Sequence, residues 1–205
     1  MKKLTILAVL VGISGLAHAT TINAPSGLNL LEGVDAYSWG ISIPLANGET
    51  VTSAEIDFTS VTLTAANSSG AGYLYTDLLN SQKTGVTTAY DGDAPGDYWA
   101  SQFSGKNITT LGSKYFASVG TTLSWSYVLN ASQLSALDSY LTAGTFNIGI
   151  DPDCHYTVGG LSFTYTLSPT SNSVPDVATT AALLVLGLGA LELFRRRSVL
   201  VRAKA

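Results

Sequence analysis

Cysteine is all but absent. Cys154 is the single one in 205 residues, so no disulfide can form within the chain and its stability has to come from a packed core. A lone thiol in such a chain is a small buried apolar group, half of an intermolecular bridge or a reactive group. Basic side chains are scarce in the middle. Between residues 20 and 174 there are only Lys83, Lys106 and Lys114, against twelve Asp and Glu, a net charge of −9. That sign repels phosphate backbones and removes nucleic acid from the expected partners. Histidine is rarer still, with His18 and His155 only. Any Ser-His-Asp or Cys-His device would have to use His155, and neighbours in a strand, such as Cys154 and His155, point to opposite faces. There is no Gly-x-Ser-x-Gly elbow, no phosphate loop and no dinucleotide fingerprint, so a non-catalytic protein is expected.

What remains is apolar and turn-rich. Charged residues make up 12% and hydrophobic ones 46%, with 20 glycines, a mix suited to short strands joined by turns. Period-two alternation runs through residues 37–45 (YSWGISIPL), 51–65 with a break near Ser60, 72–79, 121–129, 145–150 and 161–167. One helix is expected over residues 131–141, capped by Asn130, with Leu134, Leu137 and Leu141 on one face and Gly144 as its stop. The expected fold is all-β, a two-sheet antiparallel β-sandwich of jelly-roll type with one short helix.

The two ends read as export signals. Residues 1–19 carry Lys2 and Lys3, an apolar stretch, and Ala17-His18-Ala19, a small-x-small pattern that predicts removal by signal peptidase after Ala19. At the other end, residues 177–194 are apolar apart from Thr179, Thr180 and Glu192, and Arg195, Arg196 and Arg197 follow as a stop-transfer cluster that holds the C-terminus inside. The implied organisation is a signal peptide (1–19), a sandwich domain (20–168), a flexible linker with the sorting motif (169–176), a transmembrane helix with its arginine stop (177–197) and a cytoplasmic tail (198–205).

Val174-Pro175-Asp176, a small-residue apolar helix and Arg195–Arg197 together resemble the PEP-CTERM class of sorting signals, and most closely the variant whose motif begins Val-Pro-Asp-Ser-Gly. Positions 177 and 178 are Val and Ala here, where that variant has Ser and Gly. The resemblance implies recognition and cutting by exosortase, in Gram-negative bacteria that make exopolysaccharide. It also implies a membrane-anchored intermediate and a final place at the cell surface or outside it, with extracellular polysaccharide as a partner. A plain single-span anchor that is never processed is the competing reading. A second resemblance lies in residues 149–156 (GIDPDCHY), followed by Val158-Gly159-Gly160-Leu161 and a final alternating strand. This looks like the end of a β-sandwich domain found in many anchor-bearing exported proteins, and it implies fold and context rather than a reaction.

Two sets of residues suggest ligands. Asp151 and Asp153, with Asp91 and Asp93 in a second acidic turn, offer oxygens of the kind calcium takes, and calcium is the one cofactor these residues suggest. The alternative is a turn set by Pro152, with both carboxylates on backbone amides. Tyr98 and Trp99, next to Asp97, could stack on a sugar ring; the alternative for Trp99 is a core anchor. A calcium-stabilised carbohydrate-binding module is therefore the second functional expectation. A glycan-acting enzyme, with a carboxylate pair such as Asp91 and Asp97 in one cleft, is the third.

Overall fold

The protein is described from a computed structural model that covers residues 18–66, 72–92, 96–103 and 105–168. Its strands are β1 (Ala19–Asn23), β2 (Leu30–Leu31), β3 (Asp35–Ser42), β4 (Val51–Ala65), β5 (Gly72–Leu79), β6 (Gly85–Tyr90), β7 (Ile108–Phe116), β8 (Thr122–Val128), β9 (Thr145–Pro152) and β10 (His155–Leu167). The helices are α1 (Tyr98–Gln102) and α2 (Ala131–Tyr140). One antiparallel sheet runs β1-β10-β4-β8, with β2 also paired to β10; the other runs β6-β3-β9-β5-β7. The fold is thus a two-sheet β-sandwich, as the alternation predicts.

Alternation also fixes the core. Phe146, Ile148 and Ile150 of β9 and Tyr37, Trp39 and Ile41 of β3 face Ile56, Phe58, Val61 and Leu63 of β4 and Phe163 and Tyr165 of β10, all buried. The rings of Phe146 and Phe163 meet across the sheets at 5.2 Å. Each such side chain contributes about 1.5–3 kcal/mol by leaving water. In β4 the buried series steps by three residues from Phe58 to Val61, which a flat strand cannot do. The expected break near Ser60 supplies the extra residue: Ser60 takes φ 50° and its amide donates to Ser124 Oγ at 2.9 Å. The pairing with β8 shifts register there. Strand β10 makes the same change of parity beside it, at Gly159-Gly160, where a Cβ on Gly159 would stand 2.9 Å from Ser60 Cβ.

Helix α2 follows its sequence signals. Asn130 and Gln133 form a reciprocal capping box, and Gly144, with φ 83°, ends the following 3-10 turn. Leu137 and Tyr140 are buried, and Asp138 Oδ1 accepts the Val51 amide at 2.8 Å, tying the helix to the start of β4.

The connection from β6 to β7 positions the candidate site. These strands are the two opposite edges of one sheet. The linking segment must therefore cross the whole outer face, four strand spacings or about 19 Å. Segment 96–103, which includes α1, is the longest described part of that strap. Residues 1–17 of the expected signal peptide (1–19), the linker (169–176) and the transmembrane helix (177–197) lie outside the described residues. Among the described residues no helix is long and apolar enough to cross a membrane.

Candidate functional site

The site is the outer face of the β6-β3-β9-β5-β7 sheet. Because Phe146, Ile148 and Ile150 point inward, Asn147, Gly149 and Asp151 point out. Asp77 lies opposite Gly149, and Tyr75 lies opposite Asp151. Gly149 leaves room for the strap: a Cβ there would sit 2.8 Å from Trp99 Cδ1 and 3.0 Å from Leu79 Cδ1. Trp99, Leu79 and Ala36 form a second buried cluster on this face, with Tyr98, Phe103 and Ile108 packed around it.

Acidic groups surround that cluster. Asp151 is 0% exposed; its Oδ2 accepts the Tyr98 amide at 2.7 Å and its Oδ1 has no partner. Asp97 caps α1, its Oδ1 accepting the Ala100 amide at 3.0 Å. The Asp153 amide donates to the Tyr73 carbonyl at 3.0 Å, and the Gly96 amide lies close enough to the Asp153 carboxylate to favour its ionised form. Asp91 joins through its backbone, its amide donating to the Val34 carbonyl at 2.9 Å. Asp77 is 0% exposed, and neither of its oxygens has a hydrogen-bond partner of good geometry.

Crowding like charges in a dry place disfavours ionisation. Burial, and then the charge of Asp97, pushes the Asp77 carboxyl up to about 8; the Thr110 hydroxyl nearby works the other way. Burial takes Asp151 up to about 7 against the pull of the Tyr98 amide, with Asp91, Asp153 and Asp97 adding to the rise. Asp153 rises to about 6, again chiefly by burial, with the Gly96 amide opposing and Asp91 and Asp97 adding.

Asp91, Asp151 and Asp153, singled out from the sequence as calcium oxygens, are thus within electrostatic reach of one another, and Asp93 lies outside the described residues. Among the described residues no group of three or more His, Cys, Asp or Glu side chains stands where it could hold a metal ion. Trp99 is 7% exposed and packs against the sheet, while Tyr98 is half-buried with its ring edge-on to Trp99 at 5.0 Å. The face of Trp99 is therefore occupied by protein. The turn of the GIDPDCHY stretch is a two-residue corner: Pro152 ends β9, His155 begins β10, and Asp153-Cys154 carries the chain from one sheet to the other. Cys154 is 3% exposed, its backbone against Gly33, where a Cβ would stand 2.9 Å from the Cys154 Cα. His155 points elsewhere, with its Nε2 2.8 Å from Glu32 Oε2 in a solvent-accessible pair. Ala19 opens β1, paired with Thr166, whereas Ala17, Val174, Pro175, Asp176, Arg195, Arg196 and Arg197 lie outside the described residues.

Two features escaped the sequence reading. Asp77 was detectable only as the next position after Tyr73 and Tyr75 on their face. The second is an exposed tyrosine cluster beside the strap. Tyr73 is 42% exposed and stands 5.0 Å from Tyr115, itself 53% exposed, and 6.0 Å from Tyr75, between ring centroids. Tyr115 was hidden because residues 108–116 (ITTLGSKYF) alternate too weakly to announce β7. Burial, and then Asp153, Asp151 and Asp97, raises the Tyr75 phenol to about 12, so it keeps its proton as a donor.

Sandwich and site together define a β domain with a covered acidic face. Residues 173–198 match the VPDSG-CTERM motif, an exosortase-type sorting signal, despite Val177 and Ala178. That motif marks an exported, cell-surface protein processed by an exosortase. No curated protein matches the chain.

Proposed function

We propose that the chain is a non-catalytic surface protein whose sandwich, residues 20–168, contacts neutral extracellular polysaccharide through Tyr73, Tyr75 and Tyr115. The observation that carries this is the exposed tyrosine cluster at the rim of the strapped face. Phenol rings offer apolar faces for sugar C–H groups and hydroxyls for sugar oxygens. The charge of −9 between residues 20 and 174 repels acidic polymers and selects neutral ones. Binding is favoured over hydrolysis because a hydrolase needs two carboxylates in a cleft that admits the sugar, whereas Asp151 is fully covered and bonded to the strap. The jelly-roll reading is supported by strand order, β1-β10-β4-β8 against β3-β9-β5-β7, with β6 as an added edge. Before display, signal peptidase would cut after Ala19. Residues 177–197 would hold the chain in the membrane with Arg195, Arg196 and Arg197 inside, and exosortase would cut near Val174-Pro175-Asp176.

Affinity electrophoresis of the mature protein through gels holding neutral or acidic polysaccharides tests this. The expected result is retardation by a neutral polymer that Tyr73→Ala with Tyr115→Ala abolishes. Equal mobility in every gel would overturn it.

A further inference from the structure

The edge of the β1-β10-β4-β8 sheet carries a notch. Strands β1 and β2 both pair with β10, β1 along residues 162–166 and β2 at Tyr156 and Thr157. Between them residues 24–29 bow away from β10 through a 3-10 turn (Ser26–Leu28), so residues 158–161 have no strand beside them on that side. Two backbone hydrogen bonds frame the opening. The Ala24 amide donates to the Leu161 carbonyl and the Val158 amide to the Asn29 carbonyl, each at 2.9 Å. Leu28, 1% exposed, roots the bowed segment in the core. The notch is therefore formed before anything enters it. Its volume is about 360 Å³, within the range of small-molecule sites.

Among the described residues that line the notch, none is charged. Its polar groups are the Asn23 and Asn29 amides and the Thr59 and Ser162 hydroxyls. Among the described residues these four side chains have no hydrogen-bond partner, so they are free to meet a ligand. Amides and hydroxyls both donate and accept, and so does every hydroxyl of a sugar. An ion would find no counter-charge here, and the charge of −9 between residues 20 and 174 repels acidic polymers.

The two glycines of the notch differ in what holds them as glycine. Gly159 is demanded by packing, since a Cβ there would stand 2.9 Å from Ser60 Cβ. Gly160 is not. Its φ lies outside the left-handed region, and a Cβ there would meet nothing closer than Thr59 Cβ at 3.6 Å. Glycine weakens a strand interior, and where packing does not demand it, it marks a place that a ligand approaches closely. A side chain at position 160 would project beside Thr59 into the notch, and its absence keeps the notch open.

We propose that this notch binds a neutral sugar residue, held by the Asn23 and Asn29 amides with the Thr59 and Ser162 hydroxyls, and that Gly160 leaves room for the ring. The site lies on the sheet opposite the tyrosine cluster and does not depend on it.

The side-chain amide signals of Asn23 and Asn29 in a nitrogen–proton correlation spectrum read this directly. The sample is the whole chain in a zwitterionic detergent without a sugar headgroup, titrated with tetrasaccharides of glucose, galactose and mannose. At least one of them should move both signals at millimolar concentration. Gly160→Val should weaken that binding by at least about tenfold and keep the fold, because the new side chain enters open space. Asn23→Ala with Asn29→Ala, followed through the backbone amides of residues 158–162, should do the same and carries the test if Gly160→Val misfolds. Tyr73→Ala with Tyr115→Ala should leave the shifts of Asn23 and Asn29 unchanged. No movement of either signal with any of these sugars up to about 10 mM overturns the proposal, as does undiminished affinity in a folded variant of the notch. Equal binding of a galacturonic acid tetrasaccharide would overturn the neutral class. Shifts confined to the tyrosine cluster would overturn the notch while leaving the tyrosine reading in place.

Discussion

The two outer faces of this sandwich solve one problem in opposite ways. On the β1-β10-β4-β8 sheet the outward positions are mostly short hydroxyls, left open and paired with one another: Thr21 with Thr164 at 2.9 Å and Thr62 with Thr122 at 2.7 Å. Its acids, Glu55 and Asp57, stay half-exposed. On the other sheet the outward positions include Asp77 and Asp151, and there the chain crosses over and buries them. Alternation says which residues point out and nothing about what then covers them. Cover is decided by topology, because β6 and β7 are opposite edges and their connection has no other short route.

The sharpest way to break the comparison is pH. Three covered carboxyls have raised values, about 8 for Asp77, about 7 for Asp151 and about 6 for Asp153. Raised acids bind protons more tightly in the folded state. Their contribution is whole below about pH 4 and is lost as pH rises towards 8. Urea unfolding of the whole chain in detergent should show stability falling across that window, where an ordinary domain holds steady. Each tenfold change in proton affinity is worth about 1.4 kcal/mol. Asp77→Asn should therefore recover on the order of 3 kcal/mol at pH 8, and almost nothing at pH 4. Asp57→Asn on the open face should stay within about 0.5 kcal/mol at both.

Glycines sharpen the contrast next. Gly149→Ala would press a methyl group to 2.8 Å from Trp99 and should cost about 1–3 kcal/mol. On the open face, a Cβ at Gly160 would meet nothing closer than Thr59 Cβ at 3.6 Å, an ordinary contact. Gly160→Ala should therefore lie within about 0.5 kcal/mol. Thermal unfolding by circular dichroism separates the two, and equal costs would mean that Trp99 does not rest on the sheet.

Much of this was legible in the sequence where one side chain decides one feature. The Asn130 cap, the Gly144 stop, the break at Ser60 and the inward rows of β3, β8 and β9 all appear as read. Strands β6 and β7 were not, because GVTTAY and ITTLGSKYF have few large apolar residues and lie at sheet edges, where alternation is diluted. The candidate site was half legible for the same reason. Asp151 and Asp153 stood out by clustering with Pro152, Cys154 and His155. Asp77 and Tyr115 gain their meaning only from pairings across the sheet, to Gly149 and to Tyr73. Sorting was most legible, since a signal read by an enzyme has to be written locally, and residues 173–198 carry it.

The smallest effect expected is on the hydroxyl ladder, and it tests whether open really means solvated. Thr62→Val leaves the Thr122 hydroxyl without its 2.7 Å partner. If water reaches that site, water replaces the lost bond and the change costs no more than about 0.5 kcal/mol. Replacing both residues by valine keeps the β-branched shape that strands favour and should be neutral within the same margin. A cost above about 1.5 kcal/mol for the single change, relieved in the double, is the signature of a dry hydroxyl left unpaired. It would mean that this face, too, is covered by something, and the contrast between the two sheets would fall.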